Sequence, residues 1–158
     1  MRLQISLSLD AAVKMILVAI DAARAENMLP LTVVVLDAAG KIVASQSEDG
    51  SGLMRFDIAR GKAWCALGMG MSSRLVRDRL ASRPSFQAAL ATVADGKFVP
   101  VPGGVLVMAK DGAVIGAVGV SGDTSEKDEY CAITAIMAAG LQSEPETVSY
   151  THLRAHET

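Results

Sequence analysis

Histidine is nearly missing from this chain. Its two copies, His152 and His156, stand near the C-terminal end. The long body before them therefore has no Ser-His-Asp or Cys-His nucleophilic set. It has no histidine-ligated zinc site either. Any general base there must be a carboxylate, lysine, tyrosine or cysteine. Cysteine is scarce too. Cys65 and Cys131 form no short spacing, which excludes a disulfide framework and a structural zinc site. They read as free, buried thiols of a reducing compartment. Aromatics make up 4%, too few for a base-stacking platform. Neither charge sign dominates: Lys and Arg number 15, Asp and Glu 17, for a net charge of −2. Nothing in bulk electrostatics draws the chain to nucleic acid or an acidic membrane. No apolar run reaches the ~18 residues of a membrane span. The opening MRLQISLSLD has no apolar core of a signal peptide. A cytoplasmic protein is expected.

What is present suits one folded domain. The 158 residues are 51% hydrophobic, and domains commonly run ~100–200 residues. Ser8 to Asn27 reads as a helix capped by Ser8, with Leu9, Val13, Ile16, Leu17 and Ile20 as its apolar stripe. Leu31–Leu36 and Ile42–Ser47, joined by Asp37-Ala38-Ala39-Gly40-Lys41, read as a β-hairpin. A helix from Met54 to Leu67 follows, ended by Gly68 and Gly70. A short one capped by Ser72 or Ser73 runs to Leu80, and another runs from Ser85 to Val93 behind Pro84. Val105–Ala109, Asp111-Gly112 and Val114–Val120 form a second hairpin. Thr124 or Ser125 caps a last helix, which runs to Ala139 and ends at Gly140. Hairpins pair antiparallel, so the order α, hairpin, helices, hairpin, α predicts an α+β fold: an antiparallel sheet flanked by helices.

Residues 147–158 break this pattern. Pro145 separates them from the last helix, and VSYTHLRAHET resembles a translated sequencing adapter. They read as a non-native tail on a domain of residues 1–146.

Asp123, Glu126, Asp128 and Glu129 suit either a cation or a charge-complemented helix start. No metal site is expected. Arg55, Arg60 and Lys62 suit either solvent or a ligand carboxylate. Arg74, Arg77 and Arg79 read as a solvated face. Met69 and Met71 read as packing residues rather than soft ligands. Val99-Pro100-Val101-Pro102-Gly103-Gly104 is the most unusual backbone signal, with fixed φ at two positions and close approach permitted at two others.

Three segments together resemble a known family. They are Phe56-Asp57-Ile58-Ala59-Arg60-Gly61-Lys62-Ala63-Trp64, then Val101-Pro102-Gly103-Gly104-Val105, then Val114 through Glu129 with its Gly116, Gly119 and Ser121-Gly122-Asp123-Thr124. This set is similar to the GlcG/HbpS family, whose domain also closes some PduO-type corrinoid adenosyltransferases. The resemblance implies a profilin-like α+β domain. It implies homo-oligomers, from dimers to octamers, and in some members haem or a related tetrapyrrole. Where histidine is an axial haem ligand in some members, this body has none.

Two functions follow as expectations. One is a binding protein for haem, another tetrapyrrole or a small organic acid. Arg55 or Lys62 would meet a carboxylate, and Pro102, Gly103, Gly104, Ser121 and Gly122 would form the binding turns. The other is a catabolic isomerase, hydrolase or lyase on a small carboxylate, with Asp123 or Glu126 as base.

Overall fold

The structure is a computed structural model that describes residues 1–147. Of the expected non-native tail, residues 147–158, all but Thr147 lie outside the described residues. Helix α1 (Leu9–Ala25) starts where Ser8 Oγ accepts the Ala11 N–H at 3.1 Å, which satisfies an otherwise orphaned amide. The expected apolar stripe is corrected here. Leu9, Val13 and Leu17 are exposed, and the buried face is Ala12, Met15, Ile16, Ala19 and Ala23. Small alanines let one backbone lie close to another, and that close packing outweighs the larger leucines.

Strands β1 (Thr32–Asp37) and β2 (Ile42–Ser47) form the first hairpin. Its turn is held by Asp37 Oδ1, which accepts from Ala39 N and Lys41 N at 3.0 Å each. Next come helices α2 (Arg55–Met69), α3 (Ser73–Leu80) and α4 (Pro84–Val93). Ser72, not Ser73, caps α3, and Gly70 in the left-handed region ends α2, with Gly68 still inside the helix. Strands β3 (Gly104–Met108) and β4 (Val114–Ser121) form the second hairpin. Thr124 then caps α5 (Ser125–Ala138).

The two hairpins join edge to edge, β1 against β4, and a short strand β5 (Gln142–Glu144) adds to β3. The sheet order is β2-β1-β4-β3-β5, antiparallel at each junction. β1 is buried along Thr32–Leu36, so its two faces see different helices. Val33 and Val35 join α1 and α5 in the larger core. Val34 and Leu36 join Ala59, Ala63 and Ala66 of α2 on the other side. α2 can sit this low because β4 carries Gly119, where any side chain would strike the Ala59 carbonyl. Cys65, Val76 and Leu80 then tie α3 to the outer side of α2. Among the described residues, no helix is long and apolar enough to cross a membrane.

Candidate functional site

Lys62 points from α2 into the protein. Its side chain is 2% exposed, and its ammonium donates to the Val120 carbonyl at 2.9 Å and to Asp128 Oδ2 at 3.0 Å. Asp128, in the first turns of α5, is 1% exposed, and its other oxygen accepts the Asp123 N–H at 3.0 Å. Burial disfavours both charges. It lowers the Lys62 amine below its ordinary value, and the charge and hydrogen bond of Asp128 oppose that shift. Burial likewise raises the Asp128 carboxyl, against the charge of Lys62 and the amides of Asp123 and Gly122. Such a pair persists when hydrogen bonds fill its remaining capacity, and here the Val120 carbonyl and the Asp123 amide do so.

The Pro102-Gly103-Gly104 turn closes over this pair. Gly103 has φ of +127°, and a Cβ there would lie 2.8 Å from Lys62 Nζ. One on Gly104 would lie 2.8 Å from Ser73 Oγ. Ser73 explains how the turn is held: its hydroxyl donates to Val101 O at 2.6 Å and accepts from Gly104 N at 2.8 Å.

Arg55 stands at the rim of the cluster. It is half-buried and donates to Ser121 Oγ at 3.1 Å. Ser121 and Ser47 both lie in register with Thr32, so three hydroxyls cross the sheet on the α2 side. Thr32 Oγ1 also lies 2.8 Å from both Ser47 Oγ and Ser51 Oγ. Among the described residues Arg55 makes no ion pair.

Asp123 serves the backbone. Its Oδ2 accepts Leu29 N at 2.8 Å and its Oδ1 accepts Thr124 N at 2.7 Å, with Lys127 Nζ at 3.9 Å. This carboxylate ties the start of α5 to the loop before β1. Glu126 lies half-exposed two residues before Asp128, within electrostatic reach of Lys62.

The structure therefore gathers the expected residues into one neighbourhood but gives them unequal access. Pro102, Gly103, Gly104, Ser121 and Gly122 are buried, Lys62 is paired inside, and Arg55 and Glu126 face outward in part. Sequence reasoning missed Asp128 as the partner of Lys62 and Ser73 as the clasp of the glycine turn. It also took Arg74 for a solvated side chain, whereas Arg74 lies 3.4 Å from the buried Glu129. Polar residues beside the family-like motifs were the available signal, but 66 residues separate Lys62 from Asp128.

Away from this cluster, shallow grooves run along the outer side of α2 and α4. One of about 180 Å³ lies against Ala38, Gly40, Trp64, Leu67 and Gly68. Another of about 100 Å³ lies against Trp64, Cys65, Met69, Leu90, Val93 and Phe98. Among the described residues, no three His, Cys, Asp or Glu side chains converge as metal ligands.

Comparison with known proteins places this architecture. An uncharacterised 15.0 kDa protein from the dhaT-dhaS intergenic region of Citrobacter freundii is 31% identical over 126 residues, covering 80% of this chain and 87% of that protein. The solved complex of PduOC with haem superposes with a TM-score of 0.78 at 27% identity, covering 87% of this chain and 98% of PduOC. The structure of HbpS gives 0.74 at 26% identity, over 87% of this chain and 93% of HbpS. The family described as "Haem degrading protein HbpS-like" matches residues 7–137. With that match spanning most of its length, the chain belongs to the HbpS-like family.

Proposed function

We propose that this protein binds, without turning over, an organic ligand that carries carboxylates, with haem or a related tetrapyrrole as the first class. The carrying observation is the closed state of the polar cluster. Lys62 and Asp128 are 2% and 1% exposed and satisfy each other, and Asp123 is held by two backbone amides. Groups so engaged are poorly placed to move a substrate proton. The solved haem complex of PduOC supports the tetrapyrrole class.

The residues fit the ring of such a ligand. Trp64, Leu90, Val93 and Phe98 offer apolar surface, and Lys97 stands above Trp64 to meet a carboxylate. For the iron, Met69 is the half-exposed sulfur donor in that groove, because burial pushes the Cys65 thiol up to about 12 and keeps it protonated. Haem would supply a redox-active iron. This chain's residues would hold the ring and neutralise its acids.

Each groove along α2 and α4 is smaller than the ~300–1,000 Å³ usual for a ligand pocket, so a tetrapyrrole there would lie on the surface. A second copy of the chain is part of the same proposal. The exposed Leu9, Val13 and Leu17 of α1 form an apolar stripe that suits a homo-oligomer. The setting proposed is the cytoplasm.

The test is a haem titration of the full chain, followed by its absorbance near 400 nm (roughly the Soret region), beside a variant with His152→Ala and His156→Ala. A saturable, stoichiometric shift in both proteins supports the reading. No shift, or a shift lost with the histidines, overturns it.

A second reading is favoured by Arg55, whose guanidinium meets a hydroxyl and no carboxylate among the described residues. A small organic acid would bind there, and Arg55→Ala would weaken it. If a small acid were instead consumed, Glu126→Gln would stop turnover while binding persisted.

A further inference from the structure

We infer that the ring of the proposed ligand lies across the outer face of α2 and α4, over Trp64, and not in the polar cluster beneath Gly103. This rests on the tetrapyrrole reading and deepens it: the ring runs along three joined grooves with cations at their edge, and the polar cluster takes no part. Helix α4 buries none of its residues and carries no charged side chain. Val93 is 81% exposed and Phe86 39%. A neutral helix that rests on the chain through the half-buried Leu90 alone of its large apolar residues leaves apolar surface for something else to cover.

The surface beside it is continuous. The groove of about 100 Å³ shares Trp64 and Gly68 with the groove of about 180 Å³. It shares Phe98 with a third, of about 210 Å³, that runs under Gln87 and Ala91 of α4. Trp64 therefore stands between the first two and Phe98 between the second and third. A flat ligand spans such a run where a compact one would need a deeper pit. No acidic side chain lines any of the three.

Charge at the rim sets the ligand's chemistry. Lys97 Nζ is 5.1 Å from the centre of the Trp64 ring, and the Arg83 guanidinium is 4.4 Å from that of Phe86. The competitor for Lys97 is Asp95, 3.8 Å away and 98% exposed, a contact worth little in water. An apolar centre with cations at its edge complements a flat apolar ring with carboxylate arms.

The chain's one tryptophan is Trp64, so its emission reports contact directly. Iron-free protoporphyrin IX is titrated into the full chain, with porphyrin absorbance and tryptophan emission recorded together. Both signals should saturate with one Kd. Val93→Glu puts a like charge against the ligand's acids and should weaken binding about tenfold. Lys97→Ala should weaken it about threefold, and Arg55→Ala less than about twofold. Val93 is exposed, so the melting temperature of Val93→Glu should match the parent, which separates lost binding from lost folding.

If absorbance saturates while Trp64 emission and the Val93→Glu affinity stay unchanged, the ring sits elsewhere; this location falls and the binding reading stands. If absorbance never changes, the tetrapyrrole reading falls and takes the location with it. If Val93→Glu shrinks the ligand-free particle and porphyrin affinity is unchanged, a second copy covers the groove and the location is overturned.

Discussion

The Lys62 ammonium and the Asp128 carboxylate meet at 3.0 Å with side chains 2% and 1% exposed, and this contact joins α2 to α5 across the end of β4. Removing one partner leaves a buried charge uncompensated. Asp128→Asn should cost about 3–5 kcal/mol, and the double change Lys62→Met with Asp128→Leu should cost less than that single change. Urea unfolding midpoints check both. Equal losses in the single and double variants would mean that the cost lies in packing and not in charge.

The same lysine predicts an alkaline signature. Burial lowers its amine below the ordinary value near 10.5. Between the folded value and 10.5, the unfolded chain holds the proton and the folded chain does not, so stability from this group rises with pH across that window. Lys62→Met should remove that rise from a series of unfolding midpoints. A wild type and variant with parallel curves would contradict it.

Burial pushes both thiols, Cys65 and Cys131, up to about 12. Near neutral pH the folded chain offers almost no thiolate. Modification by an aromatic disulfide reagent should be about a thousandfold slower in the folded chain than in denaturant. The absorbance time course of the released thiol checks this, and rapid labelling of the native chain would show an opening that exposes α2 or α5.

Two glycines should respond in opposite directions. Gly104→Ala drives a methyl against Ser73 Oγ and the Lys62 backbone and should destabilise by about 2 kcal/mol or more. Gly68→Ala, on α2 with nothing within 4 Å of its Cβ, should stabilise by about 0.5–1 kcal/mol through helix propensity. Thermal melting separates them.

Asp123→Ala removes the acceptor for Leu29 N and Thr124 N and should cost about 1–2 kcal/mol. On the binding reading, affinity for protoporphyrin IX is unchanged. A catalytic base at this position would show itself as turnover lost without a matching fall in melting temperature.

The sequence by itself determined the local structure. Caps, turns and hairpins depend on neighbours within about four residues, so Ser8, Thr124 and the Asp37–Lys41 and Asp111-Gly112 turns were legible, and with them the α+β class. The family-like motifs also carry Lys62 and the glycine turn, and Arg55 directly precedes the first of them. Tertiary structure decided the rest. β5 is three residues with a polar sequence, and pairing with β3 makes it a strand. Which stripe of α1 faces inward depends on how closely α5 and the sheet approach, and the alanines win. Whether Lys62 meets a ligand or an aspartate 66 residues away depends on the depth at which α2 rests on Gly119. Spacing along the chain carries no information about that depth, because it is fixed by contacts between segments that are distant in sequence.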